Sequence, residues 1–231
     1  MIALIPAKGS SERIPHKNRT LVLGKPLLAW TIEALQQSSL IEEIFVSTED
    51  SSIASIAREF GATPSHRPDN LARPDTPLRP VIQNFMETTD LNPGTSHILV
   101  VLPTAALIRP ETIARAAQGL SESKLEKACA FTCTSYGHPI ERSFTIDEGS
   151  VNSGLNDTKL AYQQTQSYVK RYHDAGVFYL GTKAFFHSEL TVFGPCGIPI
   201  IIPSHEGIDV DWPEDLVVLE ALLQFKLNHQ T

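Results

Sequence analysis

The chain of 231 residues is 42% hydrophobic and carries a net charge of −7, which suits one α/β domain with a packed core and room for a small excursion. A negative balance of this size argues against the broad cationic surface that nucleic acid or an anionic membrane requires. An anionic substrate has to be met by a local cluster of cations instead.

The first apolar run, residues 2–5, reads as a buried strand that stops at Pro6. A loop of small residues follows and holds Lys8, Gly9, Arg13 and Lys17. Residues 26–37 place Leu27, Leu28, Trp30, Ile32 and Leu35 close to helical spacing. Residues 44–47 form a short buried strand, and 51–60 a helix with Ser51 or Asp50 as N-cap and Gly61 just past its end. A strand over 97–102 precedes a helix over 110–120 that opens with proline. Strands over 128–135, 177–180 and 199–202 and a closing helix over 213–227 complete the series. This alternation predicts a three-layer α/β/α domain with a mostly parallel sheet covered on both faces.

No apolar run approaches the ~20 residues of a membrane span, and the first strand lacks a basic n-region. Cys129, Cys133 and Cys196 are odd in number and without metal spacing, which reads as thiols in a reducing compartment. The expectation is a cytoplasmic protein that binds neither nucleic acid nor membrane. Two stretches look irregular. Residues 67–80 are rich in Pro, Asp and Arg, and the region from 136 to about 175 is polar with few helix cues. Long irregular stretches in compact domains are usually functional. The second is expected to be an excursion of a single domain spanning 1–231, acting as a substrate lid or a dimerisation arm.

The loop after the first strand has the composition of a phosphate cradle. Small residues let backbone N–H groups approach an anion, and Lys8, Arg13 and Lys17 balance its charge. It sits where open α/β sheets bind ligands, at a strand's carboxyl end. Neither GxxxxGK[ST] nor GxGxxG is present. The run Ile5-Pro6-Ala7-Lys8-Gly9-Ser10-Ser11-Glu12-Arg13-Ile14-Pro15-His16-Lys17-Asn18 instead resembles the N-terminal motif of nucleotidyltransferases that activate sugars. It is most similar to the acylneuraminate cytidylyltransferases, which read roughly IPARGGSxRIPxKN. Further blocks in the same order resemble that family: Ser47-Thr48-Glu49-Asp50, Arg67-Pro68-Asp69-Asn70-Leu71-Ala72, His138-Pro139-Ile140-Glu141-Arg142, Tyr172 to Tyr179, Phe193-Gly194-Pro195 and Ile208 to Asp215. The HPIER, YHDAGVFY and FGP blocks look more like the pseudaminic acid branch than the sialic acid branch.

Asp209 and Asp211 lie two apart, at the end of an expected strand, so their side chains share a face. Two such carboxylates repel unless a cation lies between them, and hard oxygen ligands with open positions suit Mg2+. Asp211 also precedes the helix that opens at Pro213 and could cap it, which would leave Asp209 unexplained. The resemblance implies that this pair holds a catalytic Mg2+.

The resemblance also implies the nucleotide-diphosphosugar transferase fold, which is Rossmann-like. The implied reaction is cytidylyl transfer from CTP to a nine-carbon sugar acid, in a homodimer. Lys8, Arg13, Lys17 and Asp211 become catalytic. Pro6, Ala7, Lys8, Gly9, Ser10, Asn18, Arg67 and Asp75 become nucleotide contacts, the last two in a loop bordering the base. Thr104, Arg142, Gln166, Tyr172, His173 and Phe178 become sugar contacts. His173-Asp174 read as a general-base dyad is doubtful, because adjacent residues on a strand face opposite ways. Departures from the family pattern fall at Ser10, Glu12, Leu102 and Gln164, which remove positive charge, backbone freedom and one polar contact. Acceptors other than pseudaminic acid, namely N-acetylneuraminic acid or 3-deoxy-manno-octulosonate, and a non-catalytic nucleotide-binding homologue, stand as alternatives.

Overall fold

The computed structural model describes residues 1–153 and 163–229. Its sequence-built core is a seven-stranded sheet of β1 (Ile2–Pro6), β4 (Glu43–Thr48), β5 (Thr63–His66), β6 (His97–Val101), β7 (Cys129–Ser135), β10 (Tyr172–Thr182) and β11 (Gly197–Ile201). The order is β11-β7-β10-β6-β1-β4-β5. All pairings are parallel except those of β10, which runs antiparallel to both β6 and β7. Two small antiparallel ladders stand apart, β2 (Leu21–Val22) with β3 (Lys25–Pro26), and β8 (Phe144–Asp147) with β9 (Ser150–Ser153).

Strand alternation sends neighbouring residues to opposite faces. Ala3, Ile5, Ile44 and Val46 join Leu28, Ile32 and Leu35 of α1 (Leu27–Gln36), Ile53 and Ala57 of α2 (Ser51–Glu59), and Ile113 and Ala116 of α4 (Pro110–Glu122). Ile2, Leu4, Phe45 and Val100 turn the other way, onto Ile82 and Phe85 of α3 (Leu78–Thr88) and onto Phe185 and Phe186 of α5 (Lys183–Phe186). These are the two covered faces that the alternation predicted. A third cluster joins Ile14, Trp30, Leu107 and Val210 to Leu219 and Leu223 of α6 (Pro213–His229), tying the loop after β1 to the chain's last helix.

The chain leaves β1 for β4 and β5 on one side, then returns across β1 to β6 on the other. The loops after β1 and β6 therefore diverge at a topological switch point, where a crevice opens.

Several boundaries differ from the expectation. The stretch 67–80 holds a 3-10 turn at Asp69–Leu71, and α3 begins within it at Leu78. Pro80 is tolerated because it falls in the helix's first turn, where N–H groups lack intrahelical acceptors anyway. β5 leaves no clear pattern in the sequence because it is a short edge strand containing Pro64. β10 extends well beyond 177–180. The excursion contributes a 3-10 turn (Ile140–Arg142), the β8–β9 hairpin and a second turn (Thr165–Ser167). Its residues 154–162 lie outside the described residues. Asp209 and Asp211 lie not at a strand end but in the loop between β11 and α6.

Candidate active site

A cleft of about 470 Å3 opens at the switch point, lined by Pro6, Lys8, Ser10, Ser11, Glu12, Arg13, Lys17, Asn18, Arg67, Leu71, Arg73, Pro74, Thr76, Leu78, Val81, Leu102, Pro103 and Tyr179. The cationic loop is pinned from beneath. Ala7 N–H donates to the Ser47 carbonyl at 3.0 Å, and Gly9 N–H donates to Glu49 Oε1 at 2.6 Å. Gly9 is required there, since a Cβ would sit 2.6 Å from Asp50 Oδ2 and 2.8 Å from its Cβ. Asn18 is buried and donates from Nδ2 to the Lys8 carbonyl at 2.8 Å, so it orders the loop from its far end. Lys8 Nζ lies 3.5 Å from the Pro74 carbonyl, across the cleft mouth.

Arg67 is buried and largely committed. Its Nη2 donates to the Ser47 carbonyl at 2.9 Å and its backbone N–H to that of Thr48 at 3.0 Å. Burial lowers its pKa and the charge of Glu49, whose carboxylate accepts Gly9 N–H, opposes that shift. Arg73 lines the cleft, whereas Arg79 donates to the Leu190 carbonyl and lies over Phe185 beneath the sheet.

Asp211 meets Arg13 Nη2 at 2.7 Å and Lys17 Nζ at 3.4 Å. Lys17 also donates to the Val210 carbonyl at 2.6 Å. The turn before α6 is closed by Asp215, whose Oδ2 accepts the N–H groups of Asp211 and Trp212 at 2.9 and 2.8 Å. The Asp211 carboxylate is thereby released from capping and turned to the cations. Asp209 is exposed as a residue, but its carboxylate lies against Gly176 and 3.5 Å from Thr104 Oγ1. Partial burial, then repulsion from Asp211, raises its pKa. Among the described residues no group of three or more His, Cys, Asp or Glu side chains is arranged for a metal. A pair of mutually repelling carboxylates beside a cationic cleft fits a hard divalent cation that takes its other ligands from phosphate and water.

The expected sugar contacts fare differently. Phe178 is 0% exposed and packs in the main core, because it alternates with Tyr179, which faces the cleft in its stead. Thr104 is 3% exposed and supports Asp209. Arg142 donates to the Gln163 carbonyl at 2.9 Å, and Gln166 donates to Gln164 at 2.9 Å, both within the excursion. Tyr172 is exposed, and His173 packs on Tyr136 with ring centres 4.8 Å apart. The described lining of the cleft contains none of these six, nor Asp75, which is exposed beside the lining residues Pro74 and Thr76. The doubted His173-Asp174 dyad does not form. The Asp174 carboxylate accepts Gly176 N–H and Tyr179 O–H instead. Alternation along β10 was the signal for Tyr179, once the strand's buried face was known.

The departures also find their places. Ser10 lines the cleft outside the positive-φ region, so a glycine is not required there. Leu102 makes part of the wall apolar, and Gln164 belongs to the excursion. Cys129 and Cys133 are buried free thiols, and burial followed by the Asp174 charge pushes Cys129 up to about 12.

The cytidylyltransferase family model matches residues 2–194. The chain belongs to the cytidylyltransferase family. It is 31% identical over its whole length to the pseudaminic acid cytidylyltransferase of Campylobacter jejuni, covering 98% of that protein. It is 29% identical to the CMP-N,N'-diacetyllegionaminic acid synthase of Legionella pneumophila, over 97% of this chain and 96% of that one. Among solved structures, a CMP:2-keto-3-deoxy-manno-octonic acid synthetase in complex with CTP shares the fold, with a TM-score of 0.71 at 16% identity over 97% of this chain and 98% of that one. The chain is thus a CTP-using nucleotidyltransferase, built on the expected α/β fold. Among the described residues no helix is long and apolar enough to cross a membrane.

Proposed function

We propose that this enzyme transfers the cytidylyl group of CTP to the anomeric hydroxyl of a nonulosonic acid, pseudaminic acid in particular, and releases pyrophosphate. The observation that carries the reading is the cationic cleft at the switch point, linked through Arg13 and Lys17 to the Asp209–Asp211 pair. The full-length similarity to a pseudaminic acid enzyme supports the choice of acceptor.

Phosphoryl-type transfer depends mostly on positioning and charge neutralisation. Lys8, Arg13 and Lys17 neutralise the triphosphate and the departing pyrophosphate, while Gly9 and its neighbours offer backbone N–H groups. Arg67, Glu49 and Asn18 keep the loop in shape before substrate arrives. Asp209 and Asp211 would hold Mg2+, which supplies charge neutralisation at the phosphates and acidifies the attacking hydroxyl. The triphosphate competes with Asp211 for Arg13 and Lys17, freeing that carboxylate for the cation.

The exposed apolar side chains Phe144, Ile146 and Val151 on the β8–β9 hairpin support a homodimer, which sedimentation would detect. We place the enzyme in the cytoplasm, where CTP is available. The deciding experiment is pyrophosphate release with Mg2+, CTP and each of pseudaminic acid, N-acetylneuraminic acid and 3-deoxy-manno-octulosonate. Release with pseudaminic acid alone is expected. Preference for either other sugar overturns the acceptor, and silence with all three overturns the activity.

A further inference from the structure

The pairing of β10 with β7 shifts register between Asp174 and Tyr179, and Gly176 inside the shift has φ +60°. One carboxylate ties this irregularity together. Asp174 Oδ1 accepts Gly176 N–H at 2.9 Å, and Oδ2 accepts the Tyr179 hydroxyl at 2.6 Å. The bulge abuts the candidate metal pair, since a Cβ at Gly176 would lie 3.7 Å from Asp209 Oδ2 and 3.6 Å from Leu102 Cδ1. Tyr179 lines the cleft together with Leu102 and Pro103. β10 lies on the opposite side of β1 from β4 and β5, which carry Glu49 and Arg67 at their ends. This wall therefore stands across β1 from the loop that the family resemblance gives to the base.

A phenol has one proton and two acceptor lone pairs. Burial, followed by the hydrogen bond and charge of Asp174, raises the Tyr179 pKa. The ring keeps its proton, and that proton is given to Asp174. Towards the cleft Tyr179 has only lone pairs to offer. An N–H or O–H donor satisfies them, and Leu102 in the same wall favours a donor that carries an apolar group beside it. An acylamino substituent has both parts, an N–H donor and an apolar acyl methyl.

We propose that Tyr179 is a specificity-determining residue that reads an acylamino N–H of the sugar acid, and that Asp174 is a positioning residue fixing the phenol as an acceptor. This rests on the reading of the acceptor as an acylated nonulosonic acid. An acceptor-only phenol meets the oxygen of an ester with lone pair against lone pair. Leaving a partner unpaired in this way costs about tenfold or more in discrimination.

The test is steady-state pyrophosphate release with pseudaminic acid and with analogues in which each acylamino group in turn becomes an O-acyl ester. Wild type, Tyr179→Phe and Asp174→Asn are compared, with CTP affinity measured by calorimetry and folding by thermal melts. Wild type is expected to prefer the amide to one of the esters by about tenfold or more in kcat/KM. Tyr179→Phe is expected to lose that preference through KM for the sugar, with CTP affinity unchanged. In Asp174→Asn the carboxamide N–H donates to the phenol, whose own proton then turns to the cleft, so the preference vanishes or reverses. A wild type indifferent to every such ester, or variants that keep its preference, would overturn the proposal while leaving the proposed activity intact. A wild type silent with every sugar, though binding CTP, would overturn the activity itself.

Discussion

The side of the cleft that we assign to the nucleotide is one contiguous stretch, residues 6–18, hung from the end of β1 and braced by Glu49 and Asn18. The side assigned to the acceptor is assembled from Leu102 after β6 and Tyr179 within β10, two strands that meet only through antiparallel pairing. A contiguous loop carries its chemistry as a readable order of residues. A wall made by strand pairing carries it in which face each residue takes. That is why the cleft's cations Lys8, Arg13 and Lys17 are legible in the sequence, while the exchange of buried Phe178 for cleft-lining Tyr179 is not. One residue of displacement along a strand exchanges core for cleft.

The comparison can be broken most severely at the carboxylate that joins the two sides. Asp211→Ala leaves Arg13 and Lys17 without their partner and removes half of the candidate metal pair. A loss of several kcal/mol in transition-state stabilisation, on the order of 10³-fold in kcat, is expected. Activity within tenfold of wild type would remove Asp211 from the mechanism.

Next in size is the loop itself. In Gly9→Ala the new Cβ collides with Asp50, including its Cβ, so the loop must shift by a substantial part of an ångström. A misplacement near 1 Å costs about 10²-fold. The expected result is a large fall in kcat/KM for CTP with the melting temperature nearly retained. A fully active variant would show that the loop is not preorganised.

Asp209 offers a test with the opposite sign for stability. Its pKa is raised in the folded state, so the fold binds the proton more tightly than the unfolded chain does. The ionised carboxylate therefore costs stability increasingly as pH rises from the unfolded pKa to the folded one, and fully above it. Asp209→Asn is expected to raise Tm slightly at neutral pH in metal-free buffer while abolishing turnover. A lowered Tm would contradict the crowding of the two carboxylates.

The smallest effect concerns the helix behind the loop. Asp50 caps α2, accepting the N–H groups of Ser52 and Ile53 at 2.7 and 3.1 Å. Burial alone would raise its pKa, but those bonds and Arg19 outweigh it and lower the value. Its stabilisation is present above the unfolded carboxylate pKa and is lost as pH falls through the depressed one. Asp50→Ala is expected to cost about 1 kcal/mol at neutral pH. In urea melts the gap to wild type should close towards strongly acidic pH, and a gap independent of pH would exclude the ionised cap.

The sequence alone carries the alternation of strands and helices, the cationic loop, the carboxylate pair and the family resemblance. These are properties of short segments, written in composition, periodicity and motif order. It could not supply the antiparallel entry of β10 between β6 and β7, the early start of α3 inside a Pro-rich stretch, or the loop setting of Asp209 and Asp211. Nor could it show that Asp215 takes over the capping and leaves Asp211 to Arg13 and Lys17. Those depend on which distant segments meet, and hydrogen bonds between residues far apart in the chain leave no local pattern to read. Tertiary structure therefore decided which face of β10 meets the cleft, and with it which tyrosine stands beside the candidate acceptor.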